Sequence, residues 1–237
     1  MLNLCEETPV SLIINGKKNL TFMCTPSNLN ELAAGRLYSS GLIHSIEDIY
    51  SLAACADMKQ ISIKMADSTD DGGFQLNTVL ASSCGSGSQF NKKFFERPKN
   101  ESSYTISLSK IKELAIEMFS NAELYKEHGG VHCAALSDGD EILALREDVG
   151  RHNAVDKVIG KGVFLGTDFK NSIIMTTGRI STDMILKAVN AGTPIVVSRS
   201  IPTTMAYEIA EKLGVTIVGR IISKEPVVYT YGERIIS

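Results

Sequence analysis

Three short apolar runs stand in the last third of the chain: SIIMTT (172–177), PIVVSRS (194–200) and VTIVGRII (215–222). Two helix-patterned segments separate them. STDMILKAVNAG opens with Ser181 or Thr182 as its cap and closes on Gly192, and PTTMAYEIAEKLG opens on Pro202. Each connection has room for one helix crossing back over the sheet and little else. Strand–helix–strand–helix–strand in this form requires parallel strands and right-handed crossovers, and so a layered α/β domain.

Ligands of such sheets collect at the carboxyl ends of the strands, where helix N-termini point. After SIIM come Thr176, Thr177, Gly178, Arg179 and Ser181; after PIVV come Ser198, Arg199, Ser200, Thr203 and Thr204. Hydroxyls, backbone amides near Gly178 and two arginines suit an anionic ligand such as a phosphorylated nucleotide. Helix capping alone accounts for the hydroxyls, but it does not call for two arginines. Upstream, VHCAALSDGDEILAL reads as two short strands around Asp138-Gly139. It leads into a charged junction of Arg146, Glu147, Asp148, Gly150, Arg151, His152 and Asn153. A helix pattern follows through Ala154, Val155, Val158 and Ile159 to Gly160. A turn needs one or two turn formers; this one carries both signs of charge and an imidazole. A solvated turn capped by Asp148 is the plainer reading of the same residues. Asp156, four residues beyond His152 on one helix face, is placed to orient the imidazole.

Residues 1–100 read as a smaller α+β unit and residues 101–237 as the α/β domain. VSLIINGKKNLTFMC is a hairpin turned at Asn15-Gly16. Asn28 with Glu31 three residues on opens a helix over LAAGRLYSSGLI. IEDIYSLAAC and QISIKMAD alternate like strands, DSTDDGG is a polar loop, and NKKFFERPKNESSYTISL is the candidate linker. Ser109 then starts an amphipathic helix, KIKELAIEMFSNAELYKEHGG, ending at Gly129-Gly130.

A net charge of -3 gives no electrostatic grip on nucleic acid or an anionic membrane, and no apolar run is long enough to span a bilayer. The start, MLNLCEETPV, has no basic region followed by an apolar one, so no secretory signal is expected. Five widely spaced cysteines in a chain this long are expected to be reduced thiols in the cytoplasm, and none forms a C-x-x-C pair that would support structural zinc. Cys84 differs from the others. ASSCGSGSQF surrounds it with glycine and serine, a setting that leaves a thiol accessible, whereas Cys24 and Cys55 stand among apolar residues.

GRLYSSGLI, the Cys84 loop, GGVHCAAL, EDVGRHNAVDKVIG, TTGRIST, SRSIPTTMAYEIAEKLGVTIVGRI and VVYTYGERII together resemble the FdhD family, sulfurtransferases required for active formate dehydrogenase. The resemblance covers nearly the whole chain in order. It implies a cytoplasmic homodimer whose larger domain has a cytidine-deaminase-like fold. It also implies that sulfur is accepted from a cysteine desulfurase as a persulfide and passed to bis-molybdopterin guanine dinucleotide, the molybdenum cofactor of formate dehydrogenase. Cys84 matches the first cysteine of the family's C-G-x-C-G loop, the persulfide carrier. Gly87 holds the second cysteine's place, so this loop cannot close a disulfide on itself. Val227, Val228, Tyr229 and Thr230 match the family's cofactor-binding stretch, with Pro226 where an aromatic is usual. With them go the strand-end residues Thr177, Gly178, Arg179, Ser198, Arg199 and Thr203, which seat the guanine-nucleotide phosphates. Arg151 and His152 shape or charge the pocket.

A deaminase-like fold raises a zinc hydrolase as an alternative. That chemistry wants His-x-Glu and a later Pro-Cys-x-x-Cys. His132 is followed by Cys133 and Ala134, and no Pro-Cys-x-x-Cys exists, so the sequence speaks against zinc deamination and no metal ligands are assigned. The remaining alternative is a cofactor-holding chaperone that transfers no sulfur, which the loss of the second loop cysteine keeps open.

Overall fold

A computed structural model describes residues 4–66, 78–80 and 98–236; the Cys84 loop and the DSTDDGG stretch lie outside the described residues. Asn15 and Gly16 take φ values of 48° and 78°, the left-handed pair a type I′ turn needs, and they join β1 (Thr8–Ile14) to β2 (Lys17–Cys24) as an antiparallel hairpin. β3 (Ile49–Cys55) and β4 (Gln60–Met65) extend the sheet beyond β1, and β5 (Thr78–Leu80) pairs parallel with β2, giving the order β3-β4-β1-β2-β5. Helix α1 (Leu29–Ser39) covers one face, burying Leu29, Leu32, Ala33 and Leu37 against Val10, Leu12, Leu20 and Phe22. Asn28 holds the N-cap position at φ 53° but makes no side-chain cap bond. Glu31, expected to complete a capping box, instead grips Arg146, with Oε1 2.8 Å from Nη2.

Past a two-residue strand, β6 (Ile106–Ser107), helix α2 (Leu108–Asn121) begins one residue earlier than expected because Ser107 Oγ accepts from Lys110 N at 3.1 Å. The single helix expected to Gly129 is broken at Ala122, and α3 (Glu123–His128) is a separate turn and a half. The cause lies downstream. Glu147 accepts from the amides of Leu124 (3.0 Å) and Tyr125 (2.6 Å), so a carboxylate takes the place of the preceding helical carbonyls.

The second sheet has the order β12-β11-β10-β9-β7-β8. Its members are β7 (His132–Ser137), β8 (Ile142–Asp148), β9 (Ile173–Thr176), β10 (Ile195–Ser198), β11 (Thr216–Gly219) and β12 (Val227–Val228). β9, β10 and β11 are parallel, as their spacing requires, but β7 joins β9 and β12 joins β11 antiparallel, so the sheet is mixed. A last strand, β13 (Ile235–Ile236), pairs with β6. Successive strand residues face opposite layers. Ile174, Val196 and Ile217 pack against α4 (Arg151–Leu165), α5 (Thr182–Ala191) and α6 (Thr204–Leu213), while Ile173, Met175, Ile195, Val197 and Val218 pack on the side of α2. The architecture is mixed α/β with helices on both faces of this sheet. Helix α6 starts at Thr204, not Pro202, because Thr203 Oγ1 accepts from Ala206 N (3.3 Å). Among the described residues no helix is long and apolar enough to cross a membrane.

α1 and α4 meet backbone to backbone. A Cβ on Gly35 would sit 1.8 Å from the Asp156 carbonyl oxygen, and one on Gly160 would sit 1.9 Å from that of Glu31. Alanine at a helical glycine gains up to about 1 kcal/mol of propensity. Overpacking costs about 1–3 kcal/mol or more, and here the obstruction is a carbonyl that no rotamer change can clear. Gly160→Ala is therefore expected to lose about 2 kcal/mol net in urea unfolding. A variant as stable as the parent would show that the two helices can part freely.

Candidate functional site

The loops after β9 and β10 are laced to each other before any ligand is considered. Arg199 N donates to Thr176 O (3.2 Å), Ile180 N to Ile201 O (3.2 Å), and Thr203 N to Ile180 O (2.9 Å). Thr176 Oγ1 accepts from Gly178 N (3.2 Å). Ser198 Oγ donates to Gly178 O (2.6 Å) and accepts from Ser200 N (2.8 Å), so this hydroxyl braces the two turns from inside. Thr177 Oγ1 accepts from Cys133 N (3.1 Å) and lies 3.2 Å from His132 Nδ1. The side chains of Arg179 and Thr203 are exposed at this end of the sheet. Arg199 leans to the other layer, where its guanidinium donates to the Tyr125 hydroxyl and lies 5.9 Å from the centre of the Phe119 ring.

The first turn of α4 closes one side. Gly178 has no Cβ, and the space is filled by Arg151, whose Cδ would be 2.8 Å from one. His152 is 9 % exposed, and its Nε2 has no hydrogen-bond partner among the described residues. Burial, then the charges of Lys187, Arg151, Arg36 and His132, push its pKa down to about 2, so the imidazole is neutral. Burial and Arg151 lower that of His132 in the same direction. Asp156 does not orient His152. Its oxygens take Lys187 Nζ at 2.6 and 2.7 Å and Ser39 Oγ at 2.7 Å, tying α4 to α5 and α1. A buried ammonium outcompetes a neutral ring for a carboxylate.

The rest of the charged junction is a clasp. Asp148 is buried and bonds Lys157 Nζ (2.7 Å), Gly150 N (2.8 Å), Asn153 Nδ2 (3.0 Å) and Thr25 N (3.2 Å). Lys157 Nζ also donates to Thr25 O (3.0 Å) and Glu147 O (3.3 Å), and Asn153 Nδ2 to Met23 O (2.8 Å). Arg146 lies on Glu31 and Glu147 on α3, and it is Arg151 that packs against the β9–α5 turn at Gly178.

The Val227–Thr230 stretch runs antiparallel beside β11, with Val227 opposite Gly219 at the site end. The chain then leads away. Tyr229 lies over Gly219, where a Cβ would be 2.7 Å from its Cε2. Thr230 is buried near the opposite end, its Oγ1 accepting from Ile217 N (2.8 Å) and donating to Val215 O (2.7 Å). Thr177, Gly178, Arg179, Arg151 and Val227 thus share the carboxyl end of the sheet, while Ser198 and Thr230 spend their hydroxyls on the fold. Cys84 lies outside the described residues. Cys24 and Cys133 are buried, and desolvation first, then nearby carboxylates, pushes both thiols up to about 12, so neither is a ready thiolate. Among the described residues no group of three or more His, Cys, Asp or Glu side chains is placed to hold a metal ion.

The family model described as the FdhD/NarQ family matches residues 5–236. The chain belongs to the FdhD/NarQ family. It is 33% identical over 239 residues to the sulfur carrier protein FdhD of Bacillus subtilis (strain 168), covering 98% of this chain and 90% of that one. It is 35% identical to the sulfur carrier protein FdhD of Shouchella clausii (strain KSM-K16), covering 98% and 89%. A crystal structure from Desulfotalea psychrophila, of a protein described as a formate dehydrogenase accessory protein, superposes with a TM-score of 0.78 at 28% identity, covering 98% of this chain and 89% of the other.

In this FdhD/NarQ chain the sequence motifs miss two of the charges that set the site's potential. Arg36 on α1 and Lys187 on α5 act on His152 from segments far away in sequence. Lys187 carried a legible signal, a lone cation inside the apolar run MILKAV. Arg36 carried none.

Proposed function

We propose that the protein is a cytoplasmic sulfur carrier serving formate dehydrogenase. Cys84 attacks the outer sulfur of a cysteine desulfurase persulfide; the Cys84–sulfur bond forms, the donor's sulfur–sulfur bond breaks, and the donor cysteine leaves as a thiolate. Delivery to bis-molybdopterin guanine dinucleotide, its nucleotide phosphates seated at the carboxyl ends of β9 and β10 and along Val227–Tyr229, would break the Cys84 sulfur–sulfur bond. Cys84 leaves as a thiolate, and the outer sulfur becomes a sulfide-level ligand with two electrons from the substrate's reduced metal. The observation that carries this reading is similarity over 98% of the chain to proteins named as sulfur carriers. The site's composition agrees with it: exposed Arg179, a basic surround at His152, and no competing thiolate among the buried cysteines. The same reading takes residues 101–237 as a cytidine-deaminase-like layered domain, residues 1–100 as its smaller α+β companion, and the working form as a homodimer.

The deciding experiment incubates the purified protein with a cysteine desulfurase and cysteine and reads intact mass. A gain of one sulfur atom, located on Cys84 by peptide mapping, is expected. No gain, with guanine nucleotide still bound, would establish instead the chaperone that the Gly87 position suggests. Arg179→Ala is expected to weaken GDP about tenfold, the loss of one charge-assisted hydrogen bond. Arg199→Ala should weaken it less, because Tyr125 and Phe119 already engage that guanidinium. Unchanged affinity in both variants would move the phosphates elsewhere.

A further inference from the structure

Two helices of this fold begin with polar groups that are buried and unused. α4, fifteen residues long, starts after Gly150 and so receives no side-chain cap; His152 stands in its first turn with Nε2 unpartnered and the residue nine-tenths buried. α5, ten residues long, has Ser181 at the N-cap position, yet Ser181 makes no cap bond and its Oγ is also buried without a partner among the described residues. A buried hydrogen-bonding atom left unsatisfied costs stability, and first-turn amides are donors that want an acceptor. The β9–α5 turn meets the first turn of α4 where Gly178, three residues before Ser181, lies against the Arg151 side chain. The charges acting on His152 are Lys187, Arg151, Arg36 and His132, all cationic when charged. Asp156, one turn on along α4, is held by Lys187 and Ser39, and Asp183 is the one carboxylate in the first turn of α5.

We propose that His152 and Ser181 form a subsite for one tetrahedral oxyanion, a phosphate group, seated between the first turns of α4 and α5. A neutral imidazole protonated on Nε2 donates one hydrogen bond, the Ser181 hydroxyl donates another, and the helix starts and Arg151 supply the favourable potential. Such a guest satisfies both orphaned atoms at once, which a water would do without matching the charge. The subsite deepens the nucleotide reading above and rests on it for the class of the anion. The phosphate arrives either free or as part of a nucleotide.

Full-length protein with isotope-labelled histidine, titrated separately with inorganic phosphate and with GDP, tests it through the imidazole NMR signals. The His152 ring signals are expected to move at millimolar phosphate while those of His44 and His128 stay put. Ser181→Ala, checked for an unchanged melting curve, is expected to weaken phosphate about tenfold. Movement of His152 with GDP alone supports the subsite with the nucleotide as its source. Signals that stay fixed in both titrations, or Ser181→Ala binding as tightly as the parent, overturn it. GDP that binds without touching His152 leaves the nucleotide reading intact and removes only the subsite. Phosphate that moves His152 in a protein unable to bind GDP does the reverse.

Discussion

Lys157→Met is expected to destabilise the protein by about 3–5 kcal/mol, measured as a lowered urea midpoint with little change in slope. Methionine keeps the length and bulk of the lysine stem, so packing is largely retained and the loss reports the charge. Lys157 and Asp148 are both fully buried and 2.7 Å apart. Asp148 is already pushed up by desolvation, opposed by Lys157, Gly150 and Asn153. Without the ammonium its carboxyl rises further, so the native state binds a proton that the unfolded state at neutral pH does not. A folded-state pKa above the unfolded value contributes stability at low pH that is lost as pH rises. The gap between parent and variant should therefore narrow toward acid pH and widen toward neutrality. Asp148→Asn combined with Lys157→Met is expected to recover much of the loss, since the amide keeps an acceptor for Gly150 N without an uncompensated charge. An unchanged midpoint in the single variant would mean that the β2–α1 loop is held by something other than this pair.

Cys84→Ala is expected to abolish activation of formate dehydrogenase in cells lacking their own copy of the carrier. Protein abundance, circular dichroism and GDP affinity should remain those of the parent. No other thiol of known environment is well placed to take over: Cys24 and Cys133 are buried with pKa values raised to about 12. Cys5 and Cys55 are only partly exposed and lack the small-residue surround of ASSCGSGSQF. With Gly87 in the second cysteine's place, the loop holds no neighbouring thiol to rescue the substitution. An active Cys84→Ala protein would remove the persulfide from the mechanism and leave cofactor holding as the function.

Features fixed by neighbours in sequence were legible, and features fixed across the fold were not. Asn15-Gly16 announces its hairpin because two left-handed residues admit little else, and the β9–β10–β11 alternation announces parallel strands. The break at Ala122 has its cause in Glu147, on a different strand. The four-residue spacing of His152 and Asp156 suggested a pair, but Lys187, thirty-one positions from Asp156, takes the carboxylate. The charged junction suggests a solvated turn with Arg151 and His152 at a pocket, and most of the rest of it is a buried fastening. Asp148, Asn153 and Lys157 reach the β2–α1 loop, a contact no local pattern records. Of the strand-end hydroxyls, Ser198 ends β10, yet only the traced bonds show that it faces inward.

The pairing of β5 with β2 sets a leash. Leu80 is registered opposite Phe22, and Cys84 follows only four residues later. A fully extended chain spans at most about 3.6 Å per residue, so four residues of chain set an upper bound of about 14 Å between the two backbones. On the other side the chain returns at Pro98, fourteen residues away, a far longer tether that imposes no tighter bound. In the sulfur-carrier reading, donor and acceptor must therefore both come to the β5 edge of the first sheet. The distance the sulfur moves is then set by how its partners dock against that edge.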